Sequence, residues 1–339
     1  MCGLVGVAGQ IGRDEEGLFK DLLVMDTIRG YHSTGMAVID SCRTPEGASL
    51  FKLPMAGPEF VRHDMFSKLI PHTSAALIGH NRAATVGAIN AHNAHPFQAG
   101  NIIGAHNGTL PHAARRQLNN HQDYTTDSEA LFHNIHRDGA ELVLGSIWGA
   151  WALTYWDFEA DRLMMIRNDE RPLWYAFSKD RSTVVWASEY MMLYAASERH
   201  YMDIEQAEEV PVNTLLSFDI PTYMPKGTKL SDPEEVATVV PGKPPAVPQT
   251  TRVIPIGGNS TKTNAGRTTD STEMIILPPD RIANESEPDG EDLRDCAWCT
   301  AREPHHEMHT INSFGEPAIL CGDCFDDPTI MQYMVFESY

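Results

Sequence analysis

The feature that most constrains this chain is a cysteine at position 2 followed by a short apolar run. Residues 3–9 read Gly-Leu-Val-Gly-Val-Ala-Gly, which is typical of a buried strand interrupted by glycines. Such a strand would hold the start of the chain inside a fold instead of leaving it to fray. Because the side chain of Cys2 is small, we expect Met1 to be removed, which leaves one residue with both a thiol and a free α-amine.

A thiol and an α-amine on one residue form a self-contained catalytic pair. The thiolate is the nucleophilic form of cysteine, and an α-amine with an ordinary pKa of about 8 can take the thiol proton and later return it. Taken alone, Cys2 is better explained as a cysteine that lies at a frayed terminus by chance. Motifs further along the chain are needed to choose between the two interpretations.

The composition excludes several other classes of protein. With 339 residues and 42% hydrophobic content, the chain can bury one large core or two smaller ones. It contains no run of some 18 apolar residues and no signal-peptide pattern, so we expect a cytoplasmic protein without a membrane span. The net charge of −20 argues against direct nucleic-acid binding, which requires clustered Lys and Arg. Cys42 is interpreted as a structural free thiol.

Hydrophobic periodicity predicts a layered α+β domain over residues 2–224. Helices are expected at 15–28, 59–69, 128–135 and 189–197, with Asp127 capping the third. Strands are expected at 3–9, 36–40, 75–78, 102–105, 150–156, 162–166, 173–177, 184–187 and 212–218. Residues 225–292 are rich in Pro, Thr, Ser and Gly and are predicted to be a linker, and residues 293–339 a small separate module.

Six short motifs follow one another within the first 130 residues. They are Cys2-Gly3-Leu4-Val5-Gly6, Arg29-Gly30-Tyr31-His32-Ser33-Thr34-Gly35, Gly79-His80-Asn81-Arg82-Ala83-Ala84-Thr85-Val86-Gly87, Asn93-Ala94-His95-Pro96-Phe97, His106-Asn107-Gly108 and Thr126-Asp127-Ser128-Glu129. Each motif alone is weak. Together and in this order they resemble the class II glutamine amidotransferases, whose glutaminase domain is an N-terminal-nucleophile hydrolase. The resemblance spans roughly residues 2–220 and implies a four-layer αββα sandwich.

The resemblance also implies a role for the residues that would perform the chemistry. Cys2 would be the nucleophile, and the Asn107 side chain and the Gly108 backbone N–H would stabilise the tetrahedral oxyanion formed from an amide. Arg29 is expected to brace the nucleophile terminus. No cofactor is required for this chemistry.

Binding of free glutamine requires partners for a carboxylate and an ammonium group. The resemblance assigns Arg82 to the carboxylate as a bidentate fork, assisted by Thr85, and Asp127 to the ammonium. Outside this context, Arg82 would be a surface ion-pair residue and Asp127 merely a helix cap.

The sequence departs from the family's pattern at two positions. His32 stands where the family usually has an acidic residue, which predicts altered packing around the nucleophile. Ala83 stands where an aromatic residue often follows the arginine, which predicts a lighter glutamine-binding loop. The histidines of this region fit no simple metal-ligand spacing and are interpreted as hydrogen-bonded structural residues: His80, His92, His95, His106 and His112.

These motifs predict a glutaminase that supplies ammonia to an acceptor. Only about fifty residues follow the predicted linker, so we expect a separate synthetase or transferase to hold the acceptor, which would be a nucleotide, a modified base or a sugar phosphate. Two alternatives stay open: a related hydrolase that cleaves another amide, and an inactive scaffold or binding module. The pairing of Arg82 with Asp127 disfavours the first, and the presence of Cys2, Asn107 and Gly108 disfavours the second.

Two CxxC pairs near the end of the sequence predict a zinc-ribbon-like module. Cys296 and Cys299 are separated by 21 residues from Cys321 and Cys324, which is close to the spacing at which four thiolates bind one tetrahedral Zn²⁺. Such a short segment cannot bury enough apolar surface to fold without metal. Two local disulfides or a redox pair are the alternatives. Four thiolates would close the coordination shell, so the zinc is expected to be structural and the module to dock the partner.

Overall fold

The computed structural model describes residues 2–71 and 73–244, together with the backbone of four short strands beyond them. The strands of the main body are β1 (Gly3–Gly9), β2 (Ser33–Ile39), β3 (Ser49–Leu53), β4 (Ala76–Arg82), β5 (Phe97–Ala99), β6 (Ile102–Thr109), β7 (Ala150–Asp157), β8 (Arg162–Arg167), β9 (Trp174–Phe177), β10 (Thr183–Ala187), β11 (Glu208–Glu209), β12 (Thr214–Asp219) and β13 (Glu234–Thr238). The helices are α1 (Arg13–Met25), α2 (Gly57–Phe60), α3 (Met65–Lys68), α4 (His112–Arg115), α5 (Asp127–Asp138), α6 (Ala140–Ser146) and α7 (Tyr190–Arg199).

These strands form two antiparallel sheets. The first sheet has the order β11-β9-β10-β1-β4-β2-β3, and the second has the order β13-β12-β8-β7-β6-β5. β1 lies inside the first sheet, where Val5 pairs with Ala187 of β10 on one side and with Gly79 of β4 on the other. All seven residues of β1 are buried, which the apolar run at 3–9 predicts.

Three hydrophobic cores separate four layers. One core lies between the sheets and joins residues such as Leu4 and Ile78 of the first sheet to Ala105 and Leu216 of the second. A second core packs α1 and α7 on the outer face of the first sheet, and a third packs α5 and α6 on the outer face of the second sheet. The order of layers is therefore αββα, which agrees with the predicted fold class.

The helices differ from the sequence-based predictions mainly at their ends. α1 stops at Met25 and a 3₁₀ turn covers residues 26–28, so the predicted helix at 15–28 is shorter and begins earlier. The helix predicted at 59–69 is two short helices, α2 and α3. Asp127 is the first residue of α5 and not its cap; Thr126 caps the helix instead, because its hydroxyl accepts a hydrogen bond from Glu129 N at 3.2 Å.

The folded body extends past the predicted boundary at residue 224. β13 pairs with β12 at the edge of the second sheet, and Val239 just after it is 2% exposed. Charged and small residues dominate 225–238 because this edge strand is largely exposed, which is why its composition resembles a linker. The strands β3 and β5 and the helix α6 also escape prediction, since each is short or partly exposed.

Four further strands lie near the end of the chain: β14 (Leu293–Asp295), β15 (Arg302–Pro304), β16 (Met308–Ser313) and β17 (Glu316–Cys321). β14 pairs with β15, and β16 pairs with β17, both antiparallel. Cys321 is described as the last backbone position of β17, whereas Cys296, Cys299 and Cys324 lie outside the described residues. None of the helices that the structure describes is long and apolar enough to cross a membrane.

Candidate active site

Cys2 lies directly before β1 with its sulfur at the edge of a pocket between the two sheets. The side chain is 8% exposed. Its Sγ accepts a hydrogen bond from the Ala83 backbone N–H at 3.3 Å and lies 3.5 Å from the Ala83 carbonyl oxygen. The nucleophile candidate is therefore held against the first residue of the loop that follows β4.

The electrostatic environment of Cys2 keeps its thiol protonated. Burial raises the pKa of the Cys2 thiol, and the Ala83 N–H and the nearby Arg82 guanidinium oppose that rise. The negative charge of Asp127 raises this pKa slightly further. A protonated thiol needs a base before it can attack an amide.

A small, partly open pocket adjoins Cys2. Four other predicted site residues line it: Arg82, Thr85, Gly108 and Asp127. The sequence-based assignments omit the remaining lining residues: Ala83, Val86, His95, Thr126 and Ser128. The fold thus places residues from the chain start before β1, from β4 and the loop after it, and from β6 and α5 around one volume, although they are far apart in sequence.

Asn107 and Gly108 lie side by side on β6, where they pair with Ala152 and Trp151 of β7. The Asn107 side chain is fully buried, and neither its Nδ2 nor its Oδ1 has a hydrogen-bond partner among the described residues. Gly108 lines the pocket, whereas Asn107, its neighbour in the chain, does not. Buried amides are normally satisfied, so the unused Asn107 donor next to Gly108 is the arrangement expected when the donor serves a bound molecule.

The Arg82 guanidinium lies in the pocket wall and is 4% exposed. It donates to the backbone carbonyls of the loop that begins at Ala83, reaching Val86 O, Ala88 O at 2.9 Å and Gly87 O at 3.4 Å. The Thr85 hydroxyl is nearby, 3.4 Å from the Thr109 hydroxyl. In this conformation the loop carbonyls accept the hydrogen bonds of the Arg82 guanidinium, which the sequence analysis assigns to the carboxylate of glutamine.

Asp127 is 6% exposed at the start of α5, facing the pocket. Its Oδ2 accepts a hydrogen bond from Leu110 N at 2.8 Å, which fixes the carboxylate relative to β6. No cationic side chain of the described residues forms an ion pair with it, although it lies close enough to Cys2 and Arg82 to influence their pKa values. The carboxylate is therefore available to a cationic group that enters the pocket.

Arg29 contacts the nucleophile from behind and does not line the pocket. Its Nε donates to the Cys2 carbonyl oxygen at 3.0 Å, and its Nη1 pairs with Glu189 at the start of α7. Arg29 is 8% exposed. Arg29 thus links the chain before β1 to the segment that follows β10, which is the bracing position that the sequence analysis expects.

His32 and Ala83, the two residues that depart from the family pattern, both make hydrogen bonds at the site. His32 Nδ1 accepts a hydrogen bond from the Ala84 backbone N–H at 2.9 Å, so the turn at 29–35 supports the pocket loop. Ala83 contacts the Cys2 sulfur through its backbone N–H, so this contact does not depend on the identity of its side chain.

Three buried histidines form a wall behind the pocket. His80 Nε2 donates to the His106 carbonyl at 3.1 Å, His106 N donates to His95 Nδ1 at 3.3 Å, and His106 Nδ1 lies 2.9 Å from Ser128 Oγ. Burial lowers the pKa of all three histidines, so they are neutral at pH 7. The sequence analysis expects structural histidines here but misses that His95 reaches the pocket; its position within the motif 93–97 is the one available signal. Within the described residues, no cluster of three or more His, Cys, Asp or Glu side chains could hold a metal ion.

Comparisons with known proteins identify relatives of part of this chain. Residues 66–232 match a family model described as a glutamine amidotransferase domain. The glutamine–fructose-6-phosphate aminotransferase (isomerizing) of Zymomonas mobilis is 31% identical over 169 residues, covering 45% of this chain and 26% of that protein. The enzyme of the same name from Vibrio parahaemolyticus is 26% identical over 237 residues, covering 65% of this chain and 37% of that protein.

The fold is also found among solved structures. One described as the allosteric regulatory enzyme of purine biosynthesis aligns with a TM-score of 0.50 and 22% identity, over 68% of this chain and 49% of that chain. The matched residues are therefore those of a glutamine amidotransferase domain. The alignments cover only 26% and 37% of the length of the two curated relatives.

Proposed function

We propose that this chain hydrolyses the side-chain amide of glutamine, with Cys2 as nucleophile and its α-amine as base after removal of Met1. The observation that carries the proposal is the meeting of Cys2, Gly108, Arg82 and Asp127 around one pocket, with the unused Asn107 amide beside it. Each group matches one requirement of glutamine hydrolysis: nucleophile, oxyanion donors, carboxylate partner and ammonium partner.

The reaction proceeds by two displacements at one carbon. The thiolate attacks the amide carbonyl, and the resulting oxyanion is stabilised by the Asn107 side chain and the Gly108 N–H. The protonated α-amine then gives its proton to the amide nitrogen, so that ammonia leaves and a thioester remains. Water, deprotonated by the same amine, hydrolyses the thioester to glutamate and restores the thiol.

Arg82 changes partners when glutamine binds. Its guanidinium releases the carbonyls of Val86 and Ala88 and binds the substrate carboxylate, because the same N–H donors cannot bind both acceptors at once. Glutamine binding is thereby coupled to the conformation of the loop that carries Thr85.

Glutamate release from glutamine by the purified protein tests this function. Cys2→Ala should abolish release while leaving the thermal unfolding midpoint nearly unchanged. Cys42→Ala is the matched control, because Cys42 is the other free cysteine of the described residues and is exposed; it should retain full activity. Mass spectrometry must also find Cys2 as the mature N-terminus. Activity that survives in Cys2→Ala, or a retained Met1, would rule the mechanism out.

We further propose that the ammonia is used by an acceptor bound to a separate synthetase or transferase in the cytoplasm. Residues 2–71 and 73–244 form one αββα body, and the matched relatives extend well beyond the matched region. The acceptor is expected to be a nucleotide, a modified base or a sugar phosphate. A pull-down from the native source should recover such an enzyme, and glutaminase activity should rise when that enzyme binds its acceptor; recovery of no such enzyme would count against the proposal.

A structural zinc ion is proposed for the last part of the chain. The connection between β14 and β15 contains Cys296 and Cys299, and Cys321 ends β17 just before Cys324, so each CxxC pair adjoins a hairpin. Hairpins flanking paired CxxC motifs support a four-thiolate site. Elemental analysis of protein purified without added metal should find about one zinc per chain, and Cys321→Ser should release it without loss of glutamine hydrolysis. Metal-free protein with all four thiols reduced would defeat the proposal.

A further inference from the structure

A buried carboxylate without a partner lies behind the nucleophile. Asp26 follows α1 in the turn 26–28 and is inaccessible to solvent. Neither of its carboxylate oxygens has a hydrogen-bond partner in the part of the chain that the structure describes. An unpaired buried carboxylate is costly, so its retention calls for a function.

The Asp26 carboxylate lies against the residue that follows Cys2. A Cβ built on Gly3 would be 1.8 Å from Asp26 Oδ1 and 2.0 Å from Oδ2. The carboxylate therefore fills the space that any side chain at position 3 would occupy. Only one peptide unit separates this position from the nitrogen of Cys2.

The nitrogen of Cys2 faces the side of β1 that adjoins β10, where Arg29 and Glu189 meet. In an antiparallel strand the N–H and C=O of one residue point to the same edge. Leu4 shows which edge this is, because its N–H donates to Ser188 Oγ at 2.9 Å and its carbonyl accepts from Ser188 N at 2.8 Å. Cys2, two residues earlier, has its carbonyl on the same side, where it accepts from Arg29 Nε at 3.0 Å.

The two charged side chains that act on Asp26 are paired with each other and not with its carboxylate. Arg29 and Glu189 are the charged side chains that act on it, and they are already paired with each other; Glu59 on the adjacent α2 is exposed. Burial raises the pKa of Asp26 to about 7, while Arg29 lowers it and Glu189 raises it further. A neighbouring ammonium would restore the charged carboxylate.

We infer that Asp26 is a positioning residue for the α-amine of mature Cys2, an inference that rests on the proposed glutaminase function. The carboxylate accepts one N–H of the amine, which turns the nitrogen lone pair toward Sγ. When the S–H bond breaks and the new N–H bond forms, the electron pair stays on sulfur and the ammonium faces Asp26. The proton then passes to the amide nitrogen as the C–N bond breaks and ammonia leaves.

A competing role for Asp26 is to orient Arg29, whose Nη2 also has no partner among the described residues. The two roles predict different behaviour of the amine. If Asp26 acts on the amine directly, its removal lowers the pKa of the amine even when Arg29 is intact. If it acts through Arg29, Arg29→Lys reproduces the effect and Asp26→Asn adds nothing to it.

The test compares mature wild-type enzyme with Asp26→Asn and Asp26→Leu. Acylation of the N-terminal amine, followed over pH by mass spectrometry of the N-terminal peptide, reports the amine directly. We expect the labelling midpoint to move about 1 pH unit lower in both variants, and kcat/KM for glutamine at pH 7 to fall about 10- to 100-fold. Asp26→Leu should keep the thermal unfolding midpoint, because it replaces an unpaired buried charge with an apolar group. Asp14→Asn, on an exposed position of α1, is the control and should change neither quantity.

Each failure has a distinct signature. An unmoved labelling midpoint in both variants, with Cys2 as the mature N-terminus and active wild-type enzyme, would overturn the role of Asp26 and leave the glutaminase function standing. A shift that Arg29→Lys reproduces, without further change on adding Asp26→Asn, would assign the effect to Arg29. A retained Met1 would overturn the proposed function and this inference together.

Discussion

The backbone N–H of Ala84 donates a hydrogen bond to Nδ1 of His32 across 2.9 Å. This bond joins the turn at 29–35 to the loop that carries Thr85 and supplies the carbonyls bound by Arg82. The imidazole must be neutral at Nδ1 to accept it. Burial and the neighbouring Arg82 lower the pKa of His32, so the bond is present at pH 7.

Removal of the His32 acceptor should weaken glutamine binding. His32→Phe should raise KM about fivefold, the effect of one lost hydrogen bond, whereas His32→Asn offers its amide oxygen in place of Nδ1 and should stay near wild type. Because the pKa of His32 is lowered, the wild-type KM should rise only at a pH below the ordinary histidine pKa of about 6.5, when Nδ1 becomes protonated. Steady-state kinetics over pH would check this, with His112→Asn on the surface as control. A pH-independent wild-type KM would contradict it.

Asn107 and Asn134 are both buried asparagines, but truncation of Asn107 should lower activity whereas truncation of Asn134 should lower stability. Asn107→Ala should lower kcat about 10²- to 10³-fold with little change in KM or stability, because its amide has no partner in the described structure. Asn134 is bonded to Ala130 and Asn119, so Asn134→Ala should cost about 1–3 kcal/mol of unfolding free energy and leave kcat nearly intact. Denaturant unfolding and kinetics on both variants provide the comparison. Loss of stability without loss of kcat in Asn107→Ala would exclude the oxyanion role.

The charge of Asp127 should matter for binding more than for turnover. Asp127→Asn keeps an oxygen acceptor for Leu110 N but removes the partner of the substrate ammonium, so KM should rise about tenfold or more while kcat changes less. Asp138→Asn, at the exposed end of the same helix, is the matched control. Equal KM values for the two variants would remove Asp127 from glutamine recognition.

Gly3 should tolerate no side chain while Asp26 is present. Gly3→Ala places a Cβ 1.8 Å from Asp26 Oδ1 and should cost about 1–3 kcal/mol of unfolding free energy. The same substitution in an Asp26→Gly background should cost much less, because the space is then empty. Gly145→Ala, whose Cβ meets nothing closer than 3.7 Å, is the control and should stabilise α6 slightly. Additive effects of Gly3→Ala and Asp26→Gly would show that the two residues are not in contact.

The sequence predicts the architecture well where a pattern of apolar residues fits only one kind of structural element. Buried strands such as β1 and β4 have continuous apolar runs because both faces are covered, and their positions follow from that pattern. β13 could not be predicted, because an exposed edge strand carries the same charged and small residues as a linker. The sequence analysis assigns the cap of α5 to Asp127, but Thr126 is an equally suitable N-cap residue by type. Only the backbone conformation shows that Thr126 is the cap.

Residues of the candidate site were predictable where they belong to recognisable motifs. Cys2, Arg82, Gly108 and Asp127 converge on one pocket, as the ordered motifs imply. Asp26 lies in no motif, and its importance depends on burial and on contact with Gly3, which only the fold creates. The same is true of Glu189, whose pairing with Arg29 joins positions 160 residues apart.

Because β1 lies in the middle of the first sheet, its neighbouring strands become available at different times during synthesis of the chain. β1 is translated first, yet one neighbour is β4 at residues 76–82 and the other is β10 at residues 183–187. Until β10 has been synthesised, more than half of the way along this sequence, one side of β1 has no neighbour and Cys2 is only partly enclosed. Processing enzymes that act on nascent chains would therefore meet this terminus while it is still accessible, and completion of the sheet would bury it afterwards.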